Sequence, residues 1–176
     1  MKILKNFKRR GLSINIKQFF IGIAGLSVGT LIYLFDRSPE SSWLVHVLLG
    51  GASFHEMLPD LFGSLDGSLA SYLHTFSFTM ISFSFMVQSK KWCLMAAVLW
   101  GSVNGLFEIG QLFDSFIVKW IPNCFERLPF LETVDDFFVS GTFDPYDLAA
   151  IFAGSSTGYW TGVVTTEKTD TGKNRN

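Results

Sequence analysis

The sequence predicts an all-α membrane protein: a bundle of four transmembrane helices with an interfacial or re-entrant helix in the first outer loop. The chain has 176 residues, of which 48% are hydrophobic and 16% are charged, and its mean hydropathy is +0.32. A soluble domain usually carries about 25% charged residues. Long apolar runs alternate here with short charged connections, which is typical of a polytopic membrane protein. The predicted partner is therefore the lipid bilayer, and the net charge of −1 gives no reason to expect nucleic acid.

The apolar runs define one transmembrane domain, residues 18–164, between a basic N-terminus at 1–17 and a polar tail at 165–176. The predicted spans are 18–35, 69–87, 92–113 and 145–164. Lys and Arg concentrate in the N-terminus, in the turn at 88–91 and in the tail. Because cytoplasmic segments are enriched in Lys and Arg, we expect a multi-pass protein with both termini in the cytoplasm.

The first outer connection contains an apolar run, residues 43–50, that is too short to span a bilayer. Polar residues and Pro59 interrupt the stretch that follows it. We therefore predict that residues 43–62 form an interfacial or re-entrant segment on the outer surface. The two cysteines, Cys93 and Cys124, fall on opposite sides of the membrane in this topology and are not expected to pair. No Cys/His spacing resembles a zinc site, so no metal or cofactor is predicted.

Small residues recur at four-residue intervals in two of the spans. Gly25 and Gly29 form a GxxxG pair in the first span, and Ala150, Gly154 and Gly158 repeat in the last. Such faces let helices approach closely. Packing inside the bundle is the first interpretation, and packing against a second membrane protein or a second copy remains open.

The third span carries a polar face in an otherwise apolar stretch. Asn104, Glu108 and Gln111 lie at i, i+4 and i+7, within an arc of roughly 60° on a helix. A carboxylate inside a membrane span costs at least about 2.5 kcal/mol on insertion scales. The sequence therefore predicts that other polar groups of the protein meet this face.

The topology supplies those groups from two other spans. His74 lies near the outer end of the second span, and Asp144 and Asp147 lie near the outer end of the fourth. Asp144 also suits the cap of the last helix, with Pro145 in its first turn. We predict one outer polar cluster, with Asp144 at its mouth. Its members are His74, Asn104, Glu108, Gln111, Asp144 and Asp147.

Three roles for this cluster remain open from the residues alone. Its groups could bind a polar ligand or a divalent cation through oxygen atoms and one imidazole. His74 and Glu108 could form an acid–base pair for catalysis. The groups could also bond only to one another and fix the bundle. No Ser or Cys nucleophile stands in a recognisable motif, and the chain has no glycine-rich phosphate loop.

Three short pieces of the chain resemble the VanZ-like family of small integral membrane proteins. They are LHTFSF at 73–78, FEIGQLF at 107–113 and FDPYDLAAIFAG at 143–154, and the resemblance covers roughly residues 69–164. The long acidic connection before the third piece departs from the family's usual pattern, so the chain resembles a divergent member. The named member of that family is associated with resistance to the glycopeptide teicoplanin, and the family's biochemical activity is not established.

The resemblance implies a protein of the bacterial inner membrane. With the polar cluster, it predicts an outward-facing site that binds a polar or lipid-linked cell-envelope ligand, or a cation. Glu108 would be the main acid and His74 its partner, and the two amides would orient the ligand opposite Asp144 and Asp147. The alternatives are an enzyme acting on a lipid-linked substrate through His74 and Glu108, and a scaffold protein whose polar cluster only fixes the bundle.

Overall fold

The computed structural model describes residues 14–36, 63, 66–120, 138 and 141–173. These residues form four long helices and no strand, which confirms the predicted all-helical class. The helices are α1 (Ile16–Asp36), α2 (Asp66–Ser84), α3 (Lys90–Gly110) and α4 (Pro145–Lys173). Three short turns follow α3, namely Gln111–Phe113, Asp114–Ile117 and Val118–Trp120.

The helix bounds differ from the predicted spans mainly at the end of α4. The first three helices begin and end within three residues of spans 18–35, 69–87 and 92–113. Helix α4 continues to Lys173, through most of the segment predicted as a polar tail. An established helix adds residues at little cost, and no proline interrupts this stretch. Cys124 and the predicted interfacial segment at 43–62 lie outside the described residues.

Side-chain caps set the starts of three helices. The Asn15 side chain accepts the Gln18 N–H at 3.3 Å, and the Ser89 hydroxyl accepts the Trp92 N–H at 3.5 Å. The Asp144 carboxylate accepts the Tyr146 N–H at 2.8 Å, as the sequence predicts. Each cap satisfies one of the backbone donors that the first turn of a helix leaves unpaired.

The helices alternate in direction along the bundle. The Asn15 N–H, just before α1, donates to the carbonyl of Ser84 at the end of α2, so these two helices are antiparallel. Only residues 85–89 separate α2 from α3, which makes that pair antiparallel as well. Cys93 near the start of α3 lies against Gly162 in the second half of α4, and Gly105 near the end of α3 lies against Leu148 near the start of α4. Residues near the end of α1, the start of α2, the end of α3 and the start of α4 therefore share one end of the bundle.

Helix α2 is the central helix, and α1, α3 and α4 all pack against it. Glycines allow the closest approaches. A Cβ added at Gly25 of α1 would lie 2.6 Å from the Ser77 hydroxyl, and one at Gly154 of α4 would meet the carbonyl oxygen of Tyr72. The four glycines that the sequence singled out, Gly25, Gly29, Gly154 and Gly158, thus face α2 of the same chain.

The bundle has an apolar core, but it also buries polar side chains and leaves large apolar side chains exposed. Several polar side chains are buried: Gln18, Thr75, Ser77, Thr79, Ser84, Glu108 and Thr166. Large apolar side chains are exposed along α1, α3 and α4, among them Phe20, Leu31, Leu99, Leu106, Phe152 and Trp160. The exposed fractions of Phe152 and Trp160 reach 76% and 72%.

One described helix is long and apolar enough to cross a membrane by length and composition. It comprises α3 and the turn Gln111–Phe113 that continues it, so it runs over Lys90–Phe113, and its most apolar window has a mean hydropathy of 1.4. A shorter apolar helix spans Ile16–Ile32. Helices α2 and α4 are rich in Ser, Thr and Gly, which lowers their hydropathy.

The close contact between α4 and α2 predicts opposite effects of the same substitution at two buried glycines. Gly154→Ala places a methyl group against the Tyr72 carbonyl, so α4 must shift, and the free energy of unfolding should fall by about 1–3 kcal/mol. Gly105→Ala is the matched control, because its Cβ meets Leu148 Cδ1 at an ordinary 3.7 Å. Helix propensity should make that variant neutral or more stable by up to about 1 kcal/mol. Unfolding of both purified variants, followed by circular dichroism, measures the difference; equal losses would contradict the packing described.

Candidate functional site

Glu108 joins the end of α3 to the start of α4. Its carboxylate oxygen Oε1 accepts the backbone N–H of Asp144 at 2.8 Å. The Glu108 side chain is buried, with 7% of its surface exposed. A hydrogen bond to a charged group in a protected place is among the stronger ones in proteins. Glu108 therefore holds the start of α4 in position beside α3.

This bond replaces part of a familiar local cap. The sequence Asp144-Pro145-Tyr146-Asp147 has the spacing of a capping box, in which the fourth residue would accept the N–H of the first. In this protein Glu108 of a different helix accepts that N–H. Asp144 itself still caps the N–H of Tyr146. The start of α4 is thus capped partly from within and partly by α3.

Three carboxylates meet at this end of the bundle, which we call the acidic end: Glu108, Asp144 and Asp147. Both aspartates lie close enough to Glu108 for their charges to repel its carboxylate. The Oδ1 atom of Asp147 is buried. The acidic end concentrates negative charge and proton-accepting oxygens in a small region.

Asn104 connects α3 to the central helix one turn deeper than Glu108. Its side-chain amide donates to the Thr75 hydroxyl at 2.9 Å. Thr75 in turn donates to the carbonyl of Ser71 within α2, also at 2.9 Å. The polar face of α3 therefore bonds to two different helices, to α2 through Asn104 and to the start of α4 through Glu108.

His74 lies at the same end of α2, beside the residue that Asn104 contacts. Its ring stacks on Phe78 with the centroids 5.9 Å apart, and Phe78 stacks on Trp100 of α3 at 4.7 Å. A Cβ added at Gly29 of α1 would lie 3.9 Å from His74 Nε2. The imidazole is thus near both α1 and an aromatic stack.

Gln111 lies in the turn that follows α3, and its backbone N–H closes the last turn of that helix. Beside it, Phe138 is buried against Gly110 and stacks on Phe107 with the centroids 5.6 Å apart. This aromatic residue of the connection between α3 and α4 covers the end of α3 next to Glu108. No sequence signal singles out Phe138, because a single Phe in a chain with 19 of them is not distinctive.

A second polar network, at the opposite end of the bundle, was not anticipated from the sequence. The amide of Gln18 is fully buried and donates to the Gly162 carbonyl at 3.3 Å and to the Thr165 hydroxyl at 2.9 Å. Gln88 accepts hydrogen bonds from Asn15 and from Thr166. A signal existed, because Gln18 shares one helical face with Gly22, Gly25 and Gly29.

The arrangement of the acidic end limits its chemistry. Within residues 14–36, 63, 66–120, 138 and 141–173, no group of three or more His, Cys, Asp or Glu side chains is placed to hold a metal ion. Its carboxylates can accept hydrogen bonds from a polar ligand, and its amides can both donate to one and accept from one.

No family model matches the chain, and no curated protein and no solved structure is significantly similar to it. The resemblance to the VanZ-like family stays a prediction.

The bond between Glu108 and Asp144 predicts a difference between two substitutions. Glu108→Gln keeps an oxygen that can accept the Asp144 N–H, whereas Glu108→Ala removes it. Hydrogen bonds to charged groups contribute about 1.5–3 kcal/mol. In the alanine variant, the backbone amide hydrogens at the start of α4 should therefore exchange with solvent roughly 10- to 100-fold faster than in the wild type. Hydrogen exchange read by mass spectrometry or NMR measures this.

Ser102→Ala, at an exposed position of α3, serves as the control and should leave the exchange of those amides unchanged. Equal exchange in the Gln and Ala variants of Glu108 would show that the carboxylate does not hold the start of α4.

Proposed function

We propose that this chain is an integral membrane protein of the VanZ-like kind, whose four helices cross a bacterial inner membrane. The combination of buried polar side chains and exposed large apolar side chains supports this proposal most directly. Hydroxyl, amide and carboxyl groups are buried between helices, while Leu, Phe and Trp side chains face outward. In water such a surface would be an aggregation hazard, whereas in a bilayer it faces lipid.

The interior of the bundle fits the same proposal. Helix association in a bilayer depends on close packing at small residues and on hydrogen bonds between helices. Both occur here, at Gly25 and Gly154 and in the Asn104–Thr75 bond. The low hydropathy of α2 is compatible with a span, because its Ser and Thr side chains face neighbouring helices rather than lipid. Thr75, Ser77 and Thr79 are all fully buried.

We further propose that the acidic end binds a polar or lipid-linked ligand of the cell envelope. Glu108, Asp144 and Asp147 supply acceptors near the outer ends of two helices. Ionisable groups within membrane spans are costly and mark functional sites by default. A polar ligand with hydroxyl or amine donors matches these acceptors better than a metal ion, which needs a closer set of ligands. The scaffold alternative has one observation in its favour, the bond from Glu108 to Asp144. No described contact specifically favours the enzyme alternative.

The membrane location predicts how two exposed positions on α3 respond to different collision reagents. Nitroxide labels would be placed at Leu99→Cys, in the middle of the helix, and at Lys91→Cys, at its start, with Cys93 and Cys124 replaced by Ser. Both positions are exposed in the bundle. After reconstitution, the label at 99 should collide with oxygen but not with a water-soluble nickel chelate. The label at 91 should collide with the chelate. If the chelate collided with both labels, the proposed membrane location of α3 would be contradicted.

The ligand-binding proposal predicts that charge at Glu108 matters separately from its structural bond. Glu108→Gln keeps the acceptor for Asp144 and removes the negative charge. Teicoplanin susceptibility of a bacterial host expressing each protein gives the readout. We expect the wild type to reduce susceptibility and Glu108→Gln to return it to the level of the host without the protein.

Abundance of the variant in the membrane fraction is the control. Undiminished resistance with Glu108→Gln, at normal abundance, would favour the scaffold alternative over a binding site.

A further inference from the structure

We propose that the bundle binds an internal water molecule on the side-chain oxygen of Gln18, where the start of α1 meets the second half of α4. Gln18 lies in the first turn of α1 and is fully buried. Within residues 14–36, 63, 66–120, 138 and 141–173, no hydrogen-bond donor reaches its oxygen Oε1. Buried acceptors that the protein does not satisfy are the usual binding places of internal water. The site lies at the opposite end of the bundle from the acidic end and is independent of the ligand proposed there.

The contacts of the amide nitrogen decide which way the Gln18 side chain is turned. Its Nε2 atom lies 3.3 Å from the carbonyl oxygen of Gly162 and 2.9 Å from the hydroxyl oxygen of Thr165. A backbone carbonyl can only accept a hydrogen bond, so the nitrogen of the amide has to face it. The reversed amide would place Oε1 against the Gly162 carbonyl, oxygen against oxygen. Oε1 is therefore the branch of the amide that needs a donor.

The neighbouring polar groups use their hydrogens elsewhere. The hydroxyls of Thr165 and Thr166 each lie within hydrogen-bond distance of a carbonyl oxygen one turn earlier in α4, at 2.7 and 2.8 Å. The Gln88 amide donates to two backbone carbonyls at and just after the end of α2. The Asn15 amide donates to the side-chain oxygen of Gln88. Acceptors outnumber donors in this network, so the hydrogen for Oε1 has to come from a bound molecule.

Water is the donor that fits this place. The partners of the Gln18 side chain are a carbonyl and two hydroxyls, all of them neutral. A charged donor such as an ammonium group would be buried beside neutral oxygens, which costs far more free energy than burying a neutral molecule. Lys17, the preceding residue of α1, is exposed, so the site lies close to the end of the bundle. A water molecule also has a second hydrogen, which the excess oxygen atoms of this network can accept.

A crystal structure of the purified full chain, at a resolution that shows ordered water, tests the proposal. We expect one water molecule within about 3.2 Å of Gln18 Oε1. Gln18→Met keeps an unbranched side chain of similar length and removes the amide, so this water should be lost in that variant. Ser27→Ala removes an exposed hydroxyl from the same helix and is the control, which should keep the water.

Several results would overturn the proposal. They are a protein donor at Oε1, a reversed amide, and clear electron density with no water beside the oxygen. A water that persists in Gln18→Met would also overturn it, because Gln18 would then not be its binding group. If Gln18→Met does not fold, NMR of the wild type with isotope-labelled glutamine gives the second measurement. We expect a cross-peak between long-lived water and the side-chain amide protons of Gln18, and its absence would contradict the site.

Discussion

The close approach of α1 and α4 to α2 is the contact on which the other features of the bundle depend. It brings Gly154 against the backbone of α2 and Gly25 against the Ser77 hydroxyl, where a side chain would not fit. With α2 held on two sides, its hydroxyl groups are enclosed and need partners within the protein. Thr75 and Thr79 donate to carbonyls one turn earlier in their own helix, which satisfies them without water. Glycine packing and a Ser/Thr-rich central helix thus belong together.

The polar face of α3 has two tasks that the same atoms can perform. Asn104 and Glu108 bond to α2 and to the start of α4, so they fix helix positions. Glu108 also brings negative charge close to Asp144 and Asp147. A neutral amide at position 108 could do the first task but not the second. A role of Glu108 in ligand binding would therefore depend on its negative charge, whereas its structural role depends only on an oxygen that accepts the Asp144 N–H.

The two ends of the bundle have different kinds of polar network. At the acidic end, carboxylates accept hydrogen bonds from the backbone, and their charges repel one another. At the other end the network of Gln18, Gln88 and Thr166 uses neutral groups to join α1, α4 and the turn between α2 and α3. Neutral networks are cheaper to bury than charged ones. The end with the neutral network is therefore suited to hold helices together, and the charged end is where we propose that a ligand binds.

The sequence by itself determined the helical class, three of the four helices to within three residues, and the placement of Asn104 and Glu108 one turn apart on α3, whereas Gln111 lies in the turn that follows α3. These follow from local periodicity and composition, which act within one helix. It also indicated that Asp144 begins the last helix, because a cap and the following proline are local signals.

Only the tertiary structure decided that Glu108 accepts the N–H of Asp144, that Asn104 donates to Thr75, and that His74 stacks on Phe78. Those pairings depend on the rotation and depth of each helix against its neighbours. The glycine contacts with α2 set that rotation and depth, and they join residues far apart in the chain.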